Sequence, residues 1–155
     1  MVVVNINDDN VKYEEIKKEN IEYKVKAVLY ENNNILIGKD EDIIYLPGDI
    51  VHLGESLKDG LKRILLNELG VYYENDKLWE LILVNYYKKE SKNSEIQNSK
   101  IVTFYYLGKY KSMNLDRINK LYKNGDKRFD LIDVDEIECD KEMNEVIKTY
   151  KKVKR

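Results

Sequence analysis

The chain has 155 residues, 43% apolar and 36% charged, which fits one globular domain with a real core and excludes an extended disordered chain. Its net charge of −2 gives no global pull toward nucleic acid or an anionic membrane. A single cysteine, Cys139, excludes an internal disulfide and suits a reducing compartment.

No stretch approaches the ~18 apolar residues a membrane-crossing helix needs. The start, Met1-Val2-Val3-Val4-Asn5, lacks the charged and long apolar regions of a signal peptide, so a cytoplasmic chain is expected. Lys, Asn, Ile and Tyr are abundant, whereas proline and alanine occur once each (Pro47, Ala27). That skew matches AT-rich codons and says nothing about function.

Residues 1–22 read as a preamble packed on the domain: an apolar edge strand, then a polar stretch with Val11, Tyr13 and Ile16 and a helical turn. Tyr23 to Tyr30 alternates as a strand does. Asn32-Asn33-Asn34 supplies turn residues, and Ile35 to Gly38 returns, so a hairpin is expected. Ile43 to Leu46 is a third apolar run, closed by Pro47-Gly48. Ser56 to Leu69 has the strongest helix pattern: Ser56 as N-cap, Asp59 three residues on, and Leu57, Leu61, Leu65 and Leu69 every fourth position. Gly70 stands where a left-handed cap belongs.

Leu78 to Tyr87 and Ile101 to Tyr110 are expected strands, separated by a polar, mobile loop, KKESKNSEIQNS. Leu115, Ile118, Leu121 and Tyr122 suggest a short helix stopped at Asn124-Gly125. Phe129 to Val134 is a last strand, and residues 139–152 form a terminal helix with Met143, Val146, Ile147 and Tyr150 on one face. Strands before and after one strong helix, with another helix at the end, predict an α/β/α sandwich on a central mixed sheet within a single domain over residues 23–155.

The segment LPGDIVHLGESLKDGLKRILLNELGV, residues 46–71, carries the chemistry. It resembles the box of the Nudix (MutT-like) hydrolases, G-x5-E-x7-R-E-U-x-E-E-x-G-U with U a bulky aliphatic, usually preceded by Leu-Pro-Gly. Glu55, Arg63, Leu65, Glu68, Gly70 and Val71 match at the required spacing, and the likeness extends over about residues 23–150. The resemblance implies the Nudix fold and a Mg²⁺- or Mn²⁺-dependent pyrophosphohydrolase acting on a nucleoside diphosphate linked to another moiety. It implies Glu55, Arg63 and Glu68 as catalytic residues. The Gly48 carbonyl, Glu55 and Glu68 would surround the metal.

Three positions depart from the box. Asp49 replaces its opening Gly, Ile64 the Glu after the Arg, and Asn67 the first Glu of the pair. Positions 64, 67 and 68 share a helix side by i, i+3 and i+4 spacing, and that side in the family bears three carboxylates. Ile64 can neither ligate nor accept a proton, and it widens the apolar stripe beside Leu61 and Leu65. Asn67 brings an oxygen without charge to an ion that favours anionic oxygen. With its usual partner gone, Arg63 is left to pair with Glu55 or to face a phosphate.

Some Nudix enzymes take a base from outside the box, and Glu90 or Glu95 would supply one here. His52 stands where the family often has Glu, as a rim residue or a surface one. Cys139 has no neighbouring ligand-type residues and reads as a bystander. The basic end, KTYKKVKR, reads as a solvated helix face or tail. Three functions follow: a weak or non-standard hydrolase, a catalytically silent domain binding a nucleotide derivative as a sensor, or an interaction scaffold. A homodimer is compatible with each.

Overall fold

A computed structural model describes residues 1–70, 72, 77–111, 115–120 and 128–153. Val71 of the box lies outside them, as do Leu121, Tyr122, Asn124 and Gly125 of the expected helix end and stop, and Lys154 and Arg155 of the basic tail.

The strands are β1 (Val2–Ile6), β2 (Ile21–Glu31), β3 (Asn34–Asp40), β4 (Ile43–Tyr45), β5 (Gly48–Ile50), β6 (Lys77–Glu90), β7 (Ile96–Lys109) and β8 (Arg128–Asp133). The helices are α1 (Leu57–Leu69), α2 (Leu115–Lys120) and α3 (Lys141–Val153). The described strands form one mixed sheet in the order β1-β6-β7-β2-β3-β4, with β5 joined to β2 and β8 to β3. The β1–β6 and β7–β2 pairs are parallel; the rest are antiparallel.

Alternation along β2 sorts the core into two layers. Val25, Ala27 and Leu29 point toward α1, where they bury Leu61, Ile64, Leu65 and Leu69, with Ile118 of α2 and Phe129 of β8 completing that layer. Val28 points to the other side, where Trp79, Leu81, Leu83 and Tyr105 meet Met143, Val146, Ile147 and Tyr150 of α3. The result is the expected α/β/α sandwich around a mixed sheet.

The preamble closes part of the α1 side. Val11 and Ile16 pack on Val84 and Tyr86, and the Tyr13 ring stacks on Tyr86 at 4.3 Å. Its helical portion is two 3-10 turns, Tyr13–Glu15 and Lys18–Asn20.

One element departs from the sequence expectation. The polar segment 88–99 is not a loop: β6 and β7 stay paired out to Glu90↔Ile96, leaving only residues 91–95 as the turn. The extension is fastened to the preamble, the Lys88 amide donating to Asp9 at 2.9 Å and the Asn98 amide to Glu15 at 3.1 Å. Backbone pairing is indifferent to side-chain polarity, so a hairpin built of polar residues carries no hydrophobic alternation to read. Among the described residues, no helix is long and apolar enough to cross a membrane.

Candidate functional site

The box begins on β5, a three-residue strand. Gly48, Asp49 and Ile50 lie opposite Lys26, Val25 and Lys24 of β2. Gly48 is required by close approach: a Cβ there would stand 2.4 Å from the Val25 carbonyl oxygen and 2.5 Å from the Lys26 stem. Ala27 donates to the Pro47 carbonyl and Val51 to the Tyr23 carbonyl, each at 2.8 Å. In an antiparallel ladder these inward bonds alternate with outward ones, so the carbonyls of Gly48 and Ile50 face away from β2.

α1 then starts where the sequence predicts. The Ser56 hydroxyl accepts from the Asp59 amide at 3.1 Å, and Gly70 ends the helix at φ 66°. Gly60 lies against the box loop, with space for a Cβ limited by Glu55 Oε1 at 3.0 Å.

Glu55 and Arg63 close this loop onto the helix. Arg63 Nε donates to Glu55 Oε2 at 2.8 Å, and Nη2 donates to Glu55 Oε1 at 3.1 Å and to the Ile50 carbonyl at 3.1 Å. The His52 amide adds a bond to Glu55 Oε1 at 3.0 Å. The fork geometry of a bidentate guanidinium–carboxylate pair fixes direction as well as charge. Hydrogen bonding from Arg63, then from the His52 amide, holds the Glu55 carboxyl down at about 2. Of the two partners the sequence left open for Arg63, the structure shows Glu55.

The three helix positions of the degenerate box have separate fates. Ile64 is 2% exposed within the α1 layer of the core, Asn67 is exposed, and Glu68 is half-buried. His52 is exposed at the rim of the loop, its backbone serving Glu55. Glu90 and Glu95 are exposed at the end of the β6–β7 hairpin. Cys139 is exposed, its thiol directed to the Ile137 carbonyl at 3.4 Å.

A divalent ion would find few donors here. Both Glu55 oxygens are already bonded by Arg63 and the His52 amide, and the Nudix resemblance adds only the outward Gly48 carbonyl and the Glu68 carboxylate. Among the described residues no three His, Cys, Asp or Glu side chains gather to hold a metal. Mg²⁺ accepts one or two carboxylates when phosphate oxygens and waters complete its octahedron. The donor set therefore fits an ion that arrives with a phosphate ligand and does not fit one held by protein alone.

Beside Gly48, on the face of the sheet shared with α3, opens a cleft of about 610 Å³ that the sequence did not disclose. Ile6, Leu83 and Ile101 give it an apolar floor. Lys24, Lys26, Asn85, Thr103 and Glu142 give it polar walls. Lys26 Nζ donates to both Glu142 oxygens, at 2.7 and 3.0 Å, and the buried Tyr105 hydroxyl donates to Glu142 Oε2 at 2.8 Å. Burial, then the neighbouring Glu142 charge, raises the Tyr105 hydroxyl well above its ordinary range, so it remains a donor. The only sequence signal was the pair of lysines on alternate positions of an otherwise buried strand.

The clamp has a testable pH signature. Because Glu55 titrates lower folded than unfolded, its contribution is complete above the ordinary carboxyl value of 4.5 and is lost as pH falls toward about 2. The melting temperatures of the wild type and Glu55→Gln are expected to differ at pH 6 and to converge between pH 4.5 and 2. A constant gap across that range would show that the pair is not what separates them.

No protein-family model matches the sequence, and no curated protein matches it. Solved structures do match the fold. A NUDIX hydrolase from Nitrosomonas europaea is 19% identical, with 86% of this chain and 90% of that chain covered and a TM-score of 0.59. The MutT protein from Methanosarcina mazei Go1 is 16% identical over 90% and 99% of the two chains, with a TM-score of 0.58. An Ap4A hydrolase from C. elegans is 12% identical over 87% and 99%, also at 0.58. With the box loop, its capped helix and a mixed sheet between two helical layers all in place, the chain has the fold of the Nudix hydrolases.

Proposed function

We propose that this chain takes a nucleoside diphosphate joined to another group in the cleft beside Gly48 and hydrolyses the diphosphate slowly. The observation that carries the reading is the clamp of Glu55 and Arg63 on the Ile50 carbonyl. It keeps the outward edge of β5 against α1, next to a cleft that carries lysines. Fold neighbours described as an Ap4A hydrolase and a UDP-X diphosphatase accord with such a substrate.

In this reading the Gly48 carbonyl and Glu68 would hold a Mg²⁺ or Mn²⁺ ion together with the substrate's phosphates, and the ion would supply charge neutralisation at phosphorus. The chain's own part is to fix the loop through Glu55 and Arg63 and to orient the ligand along β2. Loss of a positioned carboxylate costs on the order of 10²–10⁴ in rate, and groups that act together do not multiply their losses. Two replaced box carboxylates therefore imply weak turnover.

A second reading, a binder without turnover, is favoured by one observation: Ile64 belongs to the hydrophobic core and not to a reacting surface. One assay separates the two. Phosphate or monophosphate release is followed from nucleoside triphosphates, ADP-ribose, nucleotide sugars and dinucleoside polyphosphates, with Mg²⁺ or Mn²⁺. Slow metal-dependent turnover that Glu68→Ala lowers by about 10²-fold or more is expected. Absence of turnover with a ligand-induced rise in melting temperature supports the binder. Neither effect sinks both readings.

A further inference from the structure

We infer that Lys24 is the residue of the cleft that receives the ligand's anionic group, the other lysines of the cleft being already paired with carboxylates. This inference rests on the reading that the cleft takes a phosphorylated ligand.

The balance follows from the contacts. Lys26 is paired with Glu142, both side chains largely covered at 13% and 21% exposure. Lys141 is paired with Asp8. Asp140 caps α3, its Oδ1 accepting from the Met143 amide at 2.8 Å, so its charge faces the positive end of that helix. Glu22, two residues before Lys24 on the same strand side, forms no ion pair with it among the described residues. Among the described residues lining the cleft, Lys24 is the cation without an acidic partner.

Its place suits the role. Lys24 lies between Thr103 of β7 and Ile50 of β5, and the Ile50 carbonyl is the one that Arg63 holds. Of the two cleft lysines on β2, Lys24 is thus the one whose backbone lies opposite the residue that Arg63 holds. A half-exposed lysine has three donors on a flexible stem and suits a phosphate as a point charge. Lys26, fixed by Glu142, which also accepts from Tyr105, forms with it a wall of zero net charge beside Lys24. That arrangement admits the polar remainder of a ligand without a second anion.

The test uses the whole chain with inorganic pyrophosphate and ADP-ribose as probes, read by melting temperature and by calorimetric Kd at low and moderate salt. Lys24→Gln is expected to weaken both ligands by roughly 10- to 100-fold, with a smaller salt dependence. Lys24→Arg should stay within a few-fold of wild type. Lys109→Gln, which removes an exposed charge at the far end of β7, should change nothing. Equal binding by wild type and Lys24→Gln, or an equal loss in the Lys109 variant, overturns the inference. If ADP-ribose binds both proteins alike, Lys24 is refuted while the proposed function stands. If pyrophosphate binds through Lys24 but no nucleoside derivative binds or reacts, the inference stands and the nucleoside reading fails.

Discussion

Ile64→Glu is expected to lower the unfolding free energy by about 3 kcal/mol or more, because it places a carboxylate among buried aliphatic side chains. Ile64 is 2% exposed and shares its cluster with Val25, Ala27, Leu61 and Leu65. Asn67→Glu, at an exposed position one residue from Glu68, should cost within about 0.5 kcal/mol. The two restorations of the box are therefore physically unequal. Asn67→Glu alone should raise metal-dependent turnover without loss of stability. The double variant should melt below wild type with or without Mg²⁺ and turn over no faster than Asn67→Glu alone, because position 64 faces the core. Thermal melts with and without Mg²⁺, beside the hydrolysis assay, check each statement. If Ile64→Glu melts within about 1 °C of wild type, far less than a ~3 kcal/mol loss implies for this chain length, position 64 is not part of the core.

The second large effect is expected at the base of α3. Glu142→Ala leaves the Lys26 ammonium at 13% exposure without its counter-charge and the Tyr105 hydroxyl without its acceptor. Breaking such a pair by removing one member costs more than the pair itself is worth, because the other charge stays desolvated. The expected loss is about 2–4 kcal/mol, or roughly 5–10 °C in melting temperature for a chain of this length. Lys26→Met with Glu142→Leu should recover part of it, since an apolar pair removes both desolvation penalties. The outcome that would count against the network is a Glu142→Ala variant as stable as the wild type. The same variant should weaken ligand binding less than Lys24→Gln does, since Lys26 would gain freedom to meet an anion.

Comparison of these two sites shows why one was legible and the other was not. Ile64 could be assigned to the apolar stripe from sequence, because its neighbours Leu61 and Leu65 are fixed by helical periodicity alone. Lys26 and Glu142 are 116 residues apart and meet only once β2 and α3 are in place. The same contrast holds for α1, whose cap Ser56, leucine repeat and terminal Gly70 are local signals, and for the three-residue β5. That strand exists because its backbone pairs with Lys24 to Lys26, a contact no local pattern announces.

What the sequence determined by itself was therefore everything written in local periodicity and in spacing: α1 and α3, the β2–β3 hairpin, the sandwich class, and the Nudix-like spacing of Glu55, Arg63, Glu68 and Gly70. Those features depend on neighbours within one or two turns, where propensity and side-chain direction act directly. The tertiary structure alone decided that Arg63 closes on Glu55 and that residues 88–99 extend a hairpin. It also decided that a cleft opens beside Gly48 with Lys24 as its unbalanced charge. Each of these turns on which distant segments lie side by side, and long-range strand pairing and charge balance come into being only when the sheet assembles.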